Sequence, residues 1–328
     1  MRLPQAERGR GGIGVLFFSE SDVRRLLPMP QAIRLMRQAF ESLARGEALN
    51  QPRRRLILPG GSVLHYMAAG DGKYFGAKIY STHPRHPGHF LFLLYRAGDA
   101  APLALFEANH LGRIRTGAAS GLATDLMARP GADVVGLIGS GFQARTQAEA
   151  MAAVRPVREI RVWSRSEEKR RAFAAELSAS LPVRVMAARS AEEAIRGAGI
   201  VVTATSSRDP VVEAGWVEPG AHVNAVGSNQ PNRRELPASL VRAAGLIAVD
   251  SLEQARMESG DLLLGLEDWS RVVELKDLVG GVHRKAEDIT IFKSNGLAIE
   301  DVIAAGYVYE RGLSEGAGQS LPVFQDYS

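Results

Sequence analysis

The sequence predicts an α/β protein in which a doubly wound parallel sheet is joined to a second, α+β domain. Two observations carry that expectation. From residue 134 onward, short apolar runs alternate with stretches of helical spacing, and buried strands that alternate with helices belong to parallel sheets covered on both faces. Between Arg54 and Asn109, by contrast, five β-prone runs follow one another with only turn residues between them, the pattern of a largely antiparallel sheet. A chain of 328 residues, 45% of them hydrophobic, is long enough to bury both cores.

Taken in order, the chain opens on "MRLPQAERGRGGIG", which is basic, is followed by no apolar core of signal-peptide length, and reads as a loose start. In "SESDVRRLL", Ser21 is a candidate helix cap. Ile33, Met36, Phe40 and Leu43 then line one face of a second helix that Gly46 can end. The β-prone runs are "RLILP", "SVLHYMAAG", "YFGAKIYST", "FLFLLYRA" and "PLALFEANH", separated by "PGG", "GDG", "PRHPG" and "GDAA". The small-residue segment "RTGAASGLATDLMA" predicts a helix with Thr116 as its N-cap, at the joint between the domains. Next come the strands "VVGLIG", "EIRVWS", "VRVMA", "IVVTAT", "AHVNAVG" and "GLIAVD", with Ser190 and Glu193 at capping-box spacing in one of the intervening helices. "DITIFKS" is a further strand. The closing helix, "LAIEDVIAAGYVYERG", has no sheet of its own to cover and is expected to fold back on the first domain. This divides the chain into an α+β domain, residues 1–120 with 297–328, and a parallel domain, residues 121–296.

Composition narrows the functional classes. Cysteine is absent, which excludes disulfides, thiolate metal sites and a cysteine nucleophile, and suits a reducing compartment. The net charge of +4 is scattered without a long run of one sign, which reads as a solvated surface rather than a nucleic-acid face. No window approaches the ~20 apolar residues of a membrane span. The expectation is a cytoplasmic protein that needs no metal, membrane or nucleic acid.

Gly139, Gly141 and Ala144 form G-x-G-x-x-A where the first parallel strand meets its helix, with Ser140, Phe142 and Gln143 filling the turn. The first glycine turns sharply, the second admits a pyrophosphate to the backbone, and the third small residue lets helix and strand pack closely, as in a Rossmann dinucleotide-binding domain. About 20 residues on, an NAD-binding site would carry a carboxylate for the ribose 2′-hydroxyl. Here Ser164, Arg165 and Ser166 stand there, with Lys169 a turn later, a set that suits a 2′-phosphate. NADP(H) is therefore favoured, with NAD(H) the alternative. Thr205, Ser206 and Ser207 after the fourth parallel strand, and Val226, Gly227 and Ser228 after the fifth, belong near the same cofactor.

Seven landmarks in order carry a resemblance: "GAKIYSTHP", "LGRIRTGAASGLAT", "GLIGSGFQA", "VTATSS", "AVGSNQPNRREL", "VDSLEQARMESGDL" and "ITIFKSNGLAIED". On these the chain resembles the ornithine cyclodeaminase/mu-crystallin family over nearly its whole length. The resemblance implies a substrate-binding and dimerisation domain completed by the C-terminal helix, homodimers, and chemistry passing through an imine of a small α-amino acid. It places the carboxylate-gripping lysine and arginine on Lys78 and Arg115, with Thr116 beside the cofactor. A further arginine would come from "QPRRRLILP": Arg55 is the first choice, and Arg53 shares its face because strand side chains repeat every two residues. Lys293, Ser294 and Gly296 fall on the turn expected beside the nicotinamide.

Two departures matter. Asn229 stands where cyclodeaminases carry a catalytic aspartate, and His65 replaces a pocket glutamate. The proton then falls to His65 or Lys78, with His83 in reserve and His86 and His89 read as loop residues; His65 is equally readable as a hydrogen-bonded core histidine. The reading is an NADP-dependent imine reductase or amino-acid dehydrogenase. A cyclodeaminase with recycled dinucleotide and a non-catalytic NADPH-binding protein are its rivals.

Overall fold

Two eight-stranded sheets organise the computed structural model, which describes residues 14–323. The basic stretch read as a loose start, apart from Gly14, lies outside the described residues. A strand, β1 (Val15–Phe18), precedes the helices α1 (Glu20–Leu26) and α2 (Met29–Ala44) that were expected to lead the chain. The cap of α1 is Ser19 rather than Ser21. Ser19 Oγ accepts from Asp22 N at 3.3 Å while the Asp22 carboxylate accepts from Ser19 N at 3.0 Å, a reciprocal box that Ser21, inside the helix, has no partner to close.

The first sheet continues with β2 (Leu49–Asn50), β3 (Arg54–Ile57), β4 (Val63–Gly70), β5 (Tyr74–His83), β6 (His86–Arg96) and β7 (Pro102–Glu107). β4 to β7 form an antiparallel meander, β2 and β3 lie along the outer edge of β4, and β1 runs parallel to β7. Between β5 and β6 the expected separator shrinks to a turn at Pro84 and Arg85. His86 and His89 therefore belong to β6, because the ladder persists as far as the His83–His86 pair.

α3 (Asn109–Met127) starts well before Thr116, which sits inside the helix with its Oγ1 donating to Gly112 O at 2.7 Å. The true start is capped from a distance. The Glu20 carboxylate accepts from Asn109 N at 2.7 Å and His110 N at 2.6 Å, placing negative charge at the positive end of the helix dipole. α3 runs without a break through residue 120, where the sequence reading divides the chain.

The second sheet is built from β8 (Val134–Ile138), α4 (Ala144–Val154), β9 (Glu159–Trp163), α5 (Glu167–Ser180), β10 (Arg184–Ala187), α6 (Ala191–Ile195), β11 (Ile200–Thr203), β12 (His222–Ala225), α7 (Ala238–Ala243), β13 (Leu246–Val249), α8 (Leu252–Glu258), α9 (Gly260–Leu263), β14 (Val272–Glu274) and β15 (Thr290–Lys293). Its order is β10-β9-β8-β11-β12-β15-β13-β14, parallel throughout, and the order reverses between β8 and β11, where doubly wound sheets bind their ligands. Ser190 caps α6 by accepting from Glu193 N at 3.0 Å, but the Glu193 carboxylate turns to Arg189 N, so the expected box closes on one side only. α10 (Ala298–Glu315) crosses back onto β4, β5, α2 and α3, and β16 (Gln319–Leu321) then pairs with β1. Among the described residues no helix is long and apolar enough to cross a membrane.

Replacing Glu20 removes the acceptor shared by two main-chain N–H groups. Glu20→Ala is expected to cost about 1–2 kcal/mol, the usual scale for a lost cap, read as a lowered midpoint in urea unfolding.

Candidate active site

At the end of β8 the chain turns at Gly139, whose φ of +124° and whose missing Cβ, which would stand 2.5 Å from Ala204 O, both require glycine. Gly141 is open instead: nothing lies within 4 Å of where its Cβ would stand, so the way to the N-terminus of α4 is clear. A cavity of about 820 Å³ opens over this turn. Gly139, Ser140, Gly141, Phe142 and Gln143 form one wall, Ser164 and Arg165 a second, and Thr205, Ser206, Ser207 and Gly227 a third. Ala144 is buried at the start of α4, where helix and strand approach. A turn backed by Ala204, open above Gly141 and facing free helix N–H groups fits the diphosphate of a dinucleotide.

Ser140 Oγ donates to Ser164 Oγ at 3.0 Å, tying the glycine turn to the tip of β9. Ser166 is occupied elsewhere, accepting from Lys169 N as the cap of α5, and neither it nor Lys169 lines the cavity. Arg189 and Trp216 do line it, and the sequence reading missed both. Arg189 follows β10, which becomes a neighbour of β9 only once the strand order is known.

A second cavity, about 330 Å³, meets the first at Phe142, Gln143 and Gly227. Its sheet wall is a cross-strand ladder. His65, Tyr80 and Phe90 are paired across β4, β5 and β6, and their rings stack at 4.3 Å and 4.4 Å. Three cations face the same space: Arg53, Lys78 and Arg115, all buried. Each is backed by an acid. Arg53 pairs with Glu258 and donates to Asn295 O at 2.8 Å. Lys78 Nζ lies 2.9 Å from Asp301 Oδ1. Arg115 reaches Glu300 Oε2 at 2.9 Å and Asp301 Oδ1 at 3.3 Å. No aspartate or glutamate lines the cavity, so what faces the ligand is positive.

Burial pulls the Lys78 ammonium down to about 8 against the opposing pull of Asp301. Burial also works against the Arg115 charge, yet Asp301 and Glu300 hold that guanidinium firmly protonated. It pushes the Glu300 carboxyl up to about 8. Burial, then the charges of Arg55 and Arg53, drive His65 down to about 4, so the ring is neutral near pH 7. Its Nε2 is 2.8 Å from Thr82 Oγ1, and its buried Nδ1 has no partner.

Thr116, Val226, Asn229, Ser294 and Gly296 line this second cavity. Asp250 Oδ2 fixes the last two by accepting from Ser294 Oγ at 3.3 Å and from Asn295 N and Gly296 N at 2.5 Å each. Other expected residues stand apart. Arg55 is turned away from the cavity, donating to Glu258 Oε2 at 2.6 Å and Asn229 O at 3.0 Å, so Arg53 and not Arg55 presents its guanidinium. Lys293 is fully buried, with Nζ 2.5 Å from Ser228 O and 3.1 Å from Asp261 Oδ2; neither it nor Ser228 lines either cavity. His83 and His86 pair their rings at the β5–β6 turn, and with His89 they lie outside both cavities. Among the described residues no three metal-ligating side chains converge.

Residues 15–316 match the ornithine cyclodeaminase/mu-crystallin family. The chain belongs to that family. It is similar to the alanine dehydrogenase of Archaeoglobus fulgidus, 34% identical over 331 residues that cover 94% of this chain and 99% of the relative. The Delta(1)-pyrroline-2-carboxylate reductase of Bacillus cereus is 33% identical over 333 residues, again 94% and 99%. The solved structure of Thermococcus litoralis Delta(1)-pyrroline-2-carboxylate reductase in complex with NADH and L-proline superposes with a TM-score of 0.90 at 34% identity, covering 94% of this chain and all of that one. Within this family fold, the amide of Asn229 neither takes nor gives a proton at neutral pH.

Proposed function

We propose that this protein is an NADP(H)-dependent oxidoreductase that interconverts an α-imino acid and the corresponding α-amino acid, with ketimine reduction as its main direction. The observation that carries this reading is the convergence of Arg53, Lys78 and Arg115 on a cavity without a lining acid, directly beside the glycine-turn cavity. The bound dinucleotide supplies the hydride. Arg53 and Arg115 take the substrate carboxylate, since two guanidinium groups in a low-dielectric pocket suit its geometry and charge. The imine nitrogen needs one proton for each hydride received at carbon. Lys78 is the better donor: at about 8 it is protonated near pH 7 and gives its proton readily, whereas His65 at about 4 holds none to give. His65 is left to shape the ring wall, with its unpartnered Nδ1 available to the ligand.

The test is oxidation of NADPH and NADH in parallel, with pyruvate plus amines, pyrroline-2-carboxylate and piperideine-2-carboxylate. Net consumption of NADPH, faster than of NADH, is expected. Consumption of neither, with ornithine losing ammonia, would instead make the protein a cyclodeaminase; tight binding without turnover would make it a binding protein. Arg165→Asp is expected to turn the preference toward NADH, and an unchanged ratio of kcat/KM values would remove the 2′-phosphate reading.

Because kcat/KM reports the free enzyme, its alkaline limb should follow Lys78. The ammonium is present below about pH 8 and lost above it, so kcat/KM is expected to fall as pH rises through that value. In Lys78→Arg, whose guanidinium does not titrate there, activity is lower and that limb disappears.

The outer face of the first sheet exposes Leu56, Leu64, Tyr66, Phe75, Ile79 and Leu91, an apolar expanse on strands whose opposite face holds the site. This supports a homodimer formed through that face. Sedimentation equilibrium should give a dimer mass, and Ile79→Lys combined with Leu91→Lys a monomer. A chain without cysteine also suits the cytoplasm.

A further inference from the structure

Glu235 lies in the segment "RREL", lines neither cavity and is buried. Its carboxylate accepts four hydrogen bonds. Oε1 takes Thr205 N at 2.6 Å and Thr205 Oγ1 at 2.7 Å; Oε2 takes Gly227 N at 2.8 Å and Thr203 Oγ1 at 3.0 Å. Thr203 ends β11 and Gly227 follows β12, so one carboxylate spans two neighbouring strands and pins the loops that leave them. Gly227 lines both cavities, and a Cβ on it would stand 2.2 Å from Thr205 O and 2.4 Å from Glu235 Oε1, so loop and carboxylate are in direct contact.

A second linkage ties in a third strand. Glu235 N and Leu236 N donate to Asp261 Oδ1 at 2.6 Å and 2.9 Å, Asp261 Oδ2 pairs with Lys293 of β15, and Lys293 donates to Ser228 O. The ends of β11, β12 and β15 are thereby held by one buried network beneath the meeting point of the cavities.

Each oxygen of Glu235 receives one main-chain N–H, and a main-chain donor cannot turn around. A carboxamide at this position would set its own NH₂ against Thr205 N–H in one orientation or Gly227 N–H in the other. Only a carboxylate satisfies all four donors.

We infer that Glu235 is a positioning residue that fixes the floor on which the pyridine ring lies relative to the imine carbon. This rests on the reading that the two cavities bind a nicotinamide dinucleotide and an imino acid. Ser164 and Arg165 at the β9 tip, where the adenosine half would bind, are not among the groups that Glu235 holds.

The test is Glu235→Gln in the full chain, read four ways: thermal melting, the dissociation constant for NADPH, the fluorescence of the bound reduced ring, and kcat and KM. The expected variant melts cooperatively and binds NADPH within a few-fold of the native value. The ring emission shifts, and kcat falls by about a hundredfold, the scale of an ångström of misplacement, while KM moves little. Native emission with native kcat overturns the inference, as does a loss of kcat that merely tracks the folded fraction. If Glu235→Gln does not fold, Thr203→Val removes one donor alone; a shifted emission with a several-fold lower kcat supports the role, and native values for both refute it. Should the native protein turn over no imino acid, the reductase reading falls, and ring emission still decides the role of Glu235.

Discussion

Three buried cations face one small space with Arg55 beside it, and the acids behind them make that arrangement stable. An unpaired buried charge costs several kcal/mol, more than most single interactions in a protein can return. Glu258 at the end of α8 serves Arg53 and Arg55 together, and Asp301 on α10 serves Lys78 and Arg115 together. The elements that carry these acids come from different parts of the chain: α8 belongs to the parallel sheet and α10 packs on the antiparallel one. The Glu258 pairs therefore also tie the two halves together, whereas the Asp301 pairs brace the cations within the first half alone.

Sharing acids between cations has a chemical consequence. Asp301 Oδ1 is divided between Lys78 and Arg115, and Glu300, the other acid on Arg115, is pushed up to about 8 and carries little charge near neutrality. The pair of cations is therefore under-neutralised, while burial lowers the Lys78 ammonium without its discharging there. A carboxylate entering the cavity adds the missing negative charge. The ring ladder of His65, Tyr80 and Phe90 walls one side of that space with weakly polarisable surface, which strengthens the charge interactions beside it.

What could be read in the sequence was local. The glycine turn was legible because a steep φ at Gly139 and open space at Gly141 are properties of a few consecutive residues. The parallel domain was legible because its strands, covered on both faces, are written as apolar runs. The cap of α3 was not, since Glu20 comes from another helix, and so the start of that helix was misplaced at Thr116. The choice between Arg53 and Arg55 was not either: both share a strand face and both bind Glu258, 205 residues from Arg53, and only their second partners, Asn295 O for Arg53 and Asn229 O for Arg55, tell them apart. The place of the Lys293 side chain was not legible for the same reason. Its motif is a turn beside the cavity, but its ammonium is claimed from below by Asp261 and Ser228.

The two halves of the site stand on different electrostatic footing. The cations that face the smaller cavity are buried, so their charges act at short range in a poorly polarisable medium and each depends on a partner placed by the fold. Substitution there disturbs the packing of both sheets. Arg165 and Arg189, at the rim of the dinucleotide cavity, are exposed, and charges in water are weakened by solvent and salt. Exchanging them costs the fold little. In such a scaffold the cationic cavity is tied to the folding of the chain, whereas the charges at the rim of the larger cavity can change without disturbing anything beneath them.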